Sequence, residues 1–143
     1  MKPRQISVFV ENRTGRVAEV TRILGEGGIN IRAASLADTH DFGIVRLIVD
    51  RVDEALTLLR SKQFTALDTE VVAVEIADEP GSLAKVLAIL DQDNVNVEYL
   101  YGFTERGAQK AILIFRFENT NQAVEALERN RIQILSGEEL GRL

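Results

Sequence analysis

The 143-residue sequence repeats itself, and that repeat restricts the fold more than any other feature. An offset of 66 residues sets Gly15 on Gly81, Ala18 on Ala84, Val20 on Val86, Ile23-Leu24 on Ile89-Leu90 and Asn30 on Asn96. Further along the offset becomes 68. Val45, Leu47 and Val49 then fall on Leu113, Phe115 and Phe117, Ala55 on Ala123, Leu59 on Leu127, and Leu67 on Leu135. The two additional residues of the second copy lie between Thr104 and Lys110, a polar turn of the kind that tolerates insertion. The chain therefore divides into two units, residues 1–69 and 70–143.

Each copy carries the same series of elements. Ile6, Val8 and Val10 alternate with Ser7 and Phe9, as do Val72, Val74 and Ile76 with their neighbours, so each copy opens on a strand. A turn follows, then a helix: Leu83, Val86, Leu87 and Leu90 have the spacing of one apolar face, as do Val17, Val20 and Leu24. Gly27-Gly28 and Asp93-Asn94 terminate these helices. Strands are expected from Asn30 to Leu36 and from Gly43 to Val49, then from Asn96 to Gly102 and from Ala111 to Phe117. Asp53, and Thr120 or Asn121, are placed to cap a second helix in each copy. Short closing strands run from Phe64 to Leu67 and from Ile132 to Leu135.

The order βαββαβ in each copy predicts an α+β fold, a four-stranded antiparallel sheet with both helices on one face. Only Asp68-Thr69-Glu70 links the copies, so the units are expected to pack side by side. The strands ending at Val49 and Phe117 are apolar on both faces. Their second face is expected to meet the other copy or a second chain, and a homodimer follows.

Composition narrows the function. There is no cysteine, which removes thiolate chemistry and zinc-thiolate sites. The one histidine, His40, lies in the polar stretch Asp38-Thr39-His40-Asp41 and reads as an exposed turn residue. No metal-ligand spacing, catalytic dyad or cofactor fingerprint is present; Gly25-Glu26-Gly27-Gly28 ends a helix and does not open one. A net charge of −5 argues against nucleic acid as a main partner. No apolar run is long enough for a membrane span or a signal-peptide core, so the expected location is the cytoplasm.

The strand-to-helix turns are the candidate sites: Asn12, Arg13, Thr14, Gly15, Arg16 and Val17, then Asp78, Gly81, Ser82 and Leu83. A helix start offers unpaired N–H groups to a carboxylate, glycine lets a ligand approach the backbone, and an Asn or Asp oxygen accepts from an ammonium group. An amino acid carries both groups. Asn and Asp are also ordinary turn and cap residues. Against that stands the recurrence in both copies of Asn or Asp, then Gly, then the Asn30-Ile31 or Asn96-Val97 pair. Arg13, Arg16 and Arg22 make one side of the first helix basic, which reads first as a solvated face and second as a means of anion selection. Ser136 with Glu138-Glu139 reads as a capping box.

These residues resemble the ACT domain. The likeness is carried by Val8 to Val17, Leu24 and Gly28-Ile29-Asn30-Ile31, and by Val74 to Leu83 with Asn94-Val95-Asn96-Val97. The second turn keeps the family's Asp-x-Pro-Gly pattern, whereas the first has Thr14 where proline is usual. The resemblance implies ferredoxin-like units that join side by side and hold an amino acid at their interface. It implies a regulatory protein without enzymatic activity or cofactor, acting on a metabolic enzyme in trans. The first copy is also similar to the regulatory subunit of acetolactate synthase, through Glu11-Asn12, Gly15, Asn30-Ile31 and Ala37-Asp38-Thr39. That reading implies a branched-chain amino acid, but it does not call for the second copy. RNA binding, the third class, requires exposed aromatics on the first and third strands; Phe115 and Phe117 are expected in the core instead.

Overall fold

The computed structural model describes residues 1–38, 41–105 and 107–143. Among the described residues eight strands and five helices follow in the order β1 (Arg4–Glu11), α1 (Arg16–Glu26), β2 (Ile31–Asp38), β3 (Phe42–Val49), α2 (Val52–Ser61), β4 (Thr65–Glu70), β5 (Val72–Ala77), α3 (Ser82–Gln92), β6 (Val97–Glu105), β7 (Lys110–Phe117), α4 (Thr120–Arg129), β8 (Gln133–Leu135) and α5 (Gly137–Gly141). They form two four-stranded sheets, ordered β2-β3-β1-β4 and β6-β7-β5-β8. This is the ferredoxin-like βαββαβ arrangement, twice. One compact unit comprises Arg4–Thr69; the other comprises Glu70–Leu143 together with Met1–Pro3. The first three residues thus leave the copy they precede in sequence. The Pro3 carbonyl accepts from the Val71 N–H at 3.0 Å, and the Met1 carbonyl from the Gly137 N–H at 2.8 Å.

In the Arg4–Thr69 unit, the period-two pattern of β1 sends Ile6, Val8 and Val10 into a core shared with Val20, Ile23 and Leu24 of α1, Val45 and Leu47 of β3, and Leu56 and Leu59 of α2. Pairing of Val8 with Val45 and of Ile6 with Leu47 sets the register; a slip of one residue would turn every one of these side chains to the other face. In the other unit Val72, Val74, Val86, Leu90, Leu113, Phe115, Phe117 and Leu127 do the same. The rings of Phe115 and Phe117 stack at 5.1 Å. Ile48, Ile112 and Ile114 point away from these helix-side cores and are nevertheless buried.

Helix ends show where local chemistry was read correctly and where it was not. Gly27 and Asp93 are the C-caps of α1 and α3, followed by Gly28 and Asn94 at positive φ. Ser136 and Glu139 form the capping box of α5. The expected caps Asp53, Thr120 and Asn121 lie inside their helices instead. The N-cap of α4 is Asn119, whose side chain accepts from the Gln122 N–H; that of α2 is Arg51, which has no capping side chain. Asp53 sits in the first turn of α2, where its carboxylate accepts from Arg4 Nη2 at 2.9 Å. The residues expected to link the copies, Asp68-Thr69-Glu70, are the end of β4, which leaves Val71 alone between β4 and β5.

Candidate functional site

The two strand-to-helix turns are built alike, bond for bond. In the first, the Asn12 N–H reaches the Asp41 carbonyl (3.1 Å), Arg13 reaches Glu11 (2.8 Å) and Glu19 reaches Gly15 (3.0 Å). In the second, Asp78 reaches Gln109 (2.9 Å), Glu79 reaches Ala77 (3.0 Å) and Lys85 reaches Gly81 (3.0 Å). Gly15 and Gly81 are the N-caps of α1 and α3, with φ of 92° and 89°. That left-handed backbone is why glycine stands there, since a Cβ would be strained at this φ even though nothing lies within 4 Å of where it would sit. Neither helix start receives a capping hydrogen bond from a side chain. Asn12 to Gly15 and Asp78 to Gly81 are solvent-exposed. Each unit therefore presents an open helix start, with polar N–H groups and positive partial charge available to an anion.

Arg16 and Ser82 begin these helices, and here the copies part. The Arg16 guanidinium lies 4.6 Å over the Phe64 ring and donates to Glu19 at 2.9 Å. Its Nε is buried without a hydrogen-bond partner among the described residues. Arg22 pairs with Glu26 and Arg13 with Glu11. The basic side of α1 is thus neutralised by carboxylates on or beside the same helix. Val17 and Leu83 are half-buried and pack against the cores.

Asn30-Ile31 and Asn96-Val97 lie elsewhere. β1 and β2 both run antiparallel to β3, so they run in the same direction. The turn that follows β1 and the asparagine that precedes β2 are consequently separated by the length of a strand, about 25 Å for eight residues. The second unit has the same geometry. Asn30 pairs with Asp50, its N–H donating to Oδ1 at 3.0 Å, and Asn96 Nδ2 donates to Glu118 Oε2 at 3.2 Å. No unit by itself brings its turn and its asparagine together. Asn96 instead lines a polar cavity of about 520 Å³ with Asn94, Glu118, Asn119, Thr120, Asn121 and Gln122. In the first unit the matching position to Asn119 is Arg51, which reaches the Gly27 and Gly28 carbonyls and Glu54. Sequence reading missed this contrast, although the 68-residue offset sets Arg51 on Asn119.

His40 and Thr39, the latter part of the likeness to the acetolactate synthase subunit, lie outside the described residues. Phe115 and Phe117 are fully buried, but Phe9 and Phe42 are exposed on β1 and β3 of the first unit. Among the described residues no group of histidine, cysteine and carboxylate side chains could hold a metal, and no helix is long and apolar enough to cross a membrane.

Comparison with known proteins agrees with this architecture. The family described as an ACT domain pair matches residues 1–143. Protein BT0572 from Bacteroides thetaiotaomicron superposes with a TM-score of 0.93 at 36% identity, over 100% of this chain and 98% of that one. The regulatory subunit of aspartate kinase from Thermus thermophilus, in ligand-free form, gives 0.67 at 20% identity over 90% of this chain and 93% of its own. The Thermus flavus regulatory subunit gives 0.64 at 18% identity over 90% and 92%. At that identity the Thermus proteins speak to the fold alone. A search of curated proteins finds no match.

Proposed function

Since the chain belongs to the ACT domain pair family, we propose that it is a non-catalytic regulatory protein that binds an amino acid where two ACT units meet and passes that occupancy to a metabolic enzyme in trans. The carrying observation is the pair of exposed helix starts, each led by a left-handed glycine and free of a side-chain cap. Gly15, Arg16 and Val17, or Gly81, Ser82 and Leu83, would receive the carboxylate on their N–H groups. Asn12 or Asp78 would accept from the ammonium group.

The separation of turn and asparagine supports a site completed by a second chain. β2 and β6 are edge strands of their sheets. Antiparallel pairing of such an edge with that of a second copy lays the start of one strand beside the end of the other. An asparagine that opens a strand in one protomer then reaches the helix start of its partner. Homodimerisation and ligand binding are one proposal on this reading. The regulatory subunits of aspartate kinase carry the same fold beside an enzyme, and we extend that relation to this chain without extending the enzyme's identity. Cytoplasmic residence goes with it.

Thermal denaturation in the presence of each of the twenty amino acids tests the reading. One or a few should raise the melting temperature; a ligand at a hundred times its Kd adds about 2.7 kcal/mol by mass action. Asn12→Ala or Asp78→Ala should shrink that shift while leaving the ligand-free melting curve in place. A screen in which no amino acid stabilises the protein would overturn the proposal.

A further inference from the structure

A second cavity, of about 320 Å³, opens on the other flank of the α3 start and is lined by Ser82, Lys85, Lys110, Arg131, Ile132 and Gln133 among others. Its flank faces β8, whereas the seam proposed above lies along β6, at the opposite edge of the sheet. The first unit supplies an internal control. Gln63 and Arg131 occupy the same turn, with φ of 68° and 60°. The following N–H returns to a helix carbonyl in both, Phe64 to Leu59 at 3.0 Å and Ile132 to Leu127 at 2.9 Å. In the first unit the Arg16 guanidinium lies over the Phe64 ring on this flank and donates to Glu19. In the second unit the same positions hold Ser82, Ile132 and Lys85. The Arg–Phe pair is gone, the helix charge is reversed, and Gln63 has become a cation.

Of the three cations now around the cavity, Lys110 is neutralised by Glu75 at 3.1 Å. Lys85 and Arg131 have no ion pair among the described residues. Glu79 is the other acid of the lining. We propose that this cavity of the second unit is a binding site for a small phosphate monoester, held by Lys85 and Arg131 with the Ser82 hydroxyl as a further donor. A planar guanidinium engages two phosphate oxygens at once, and a lysine ammonium serves as a point charge beside it. The volume suits a ligand of metabolite size at the lower end of small-molecule pockets. Glu79, as a lining acceptor, would take hydrogen bonds from hydroxyls of the ester's carbon body. The inference does not depend on amino-acid binding at the β6 edge.

Amide NMR of the ¹⁵N-labelled full chain provides the test. Titration with inorganic phosphate and with glycerol 3-phosphate, against chloride at equal ionic strength, should give saturable shifts centred on Ser82, Lys85 and Arg131. Lys85→Glu and Arg131→Gln, both at exposed positions and checked for unchanged dispersion, should each weaken binding about tenfold or more. Ser82→Arg combined with Lys85→Glu, which places the first unit's Arg16–Glu19 pair at the matching positions, should abolish it. The site is refuted by shifts no different from those of chloride, or by unchanged affinity in both single variants. Glycerol 3-phosphate binding no tighter than inorganic phosphate would remove the monoester from the proposal.

Discussion

At the scale of single residues, the informative positions are those where the two copies differ. Gly15 and Gly81 are equivalent because both need positive φ, which is a backbone requirement common to the turns. Gly15→Ala should therefore cost about 1–2 kcal/mol in urea denaturation, although nothing crowds the new methyl group. Arg4 is tied to Asp68 at 2.8 Å and to Asp53 at 2.9 Å, and the guanidinium holds the Asp53 carboxyl below its ordinary range. A carboxylate depressed in the folded state stabilises above its unfolded pKa, and that contribution disappears as pH falls through the folded value. Stability should thus decline as the pH drops below about 4. Arg4→Gln should flatten that part of the curve; a variant whose acid sensitivity equals that of the wild type would show the pair to be inert.

At the scale of elements, capping and edges matter most. Asn119 caps α4 through its side chain, and Arg51 at the matching position of α2 does not. Asn119→Ala should cost about 1 kcal/mol in the same denaturation assay, whereas Arg51→Ala should cost no capping bond and register only through its loss of contact with Gly28 and Glu54. β2 is an edge strand whose Leu36 is 58% exposed. If protomers pair along that edge, Leu36→Lys should shift sedimentation velocity towards the monomer while circular dichroism stays unchanged, because charge on an edge strand opposes strand addition. The sequence pattern was sufficient to find the eight strands and α1 to α4; of α5 it showed only the capping box at Ser136. It misplaced the cap of α4 because Asn119, Thr120 and Asn121 are three successive candidates that only backbone dihedrals distinguish, and that of α2 because the N-cap there is Arg51, which has no capping side chain, while Asp53 falls in the first turn.

At the scale of the whole molecule, each half of the chain builds its own βαββαβ unit, with Met1–Pro3 as the exception that joins the later one. The fold was legible in one dimension because its causes are local or periodic. Alternation of period two defines strands, the 3.6-residue stripe defines helices, and a duplicated pattern means a duplicated unit. The turns at Asn12–Gly15 and Asp78–Gly81 were legible for the same reason. What tertiary structure alone decided was which of those residues can act together. Two strands running the same way on either side of β3 put Asn30 a strand's length from Gly15. The packing of α4 against α3 sets Arg131 in the lining of one cavity with Ser82 and Lys85. Adjacency across a sheet is set by long-range pairing and side-chain volume, and neither quantity is written in the spacing of residues along a chain.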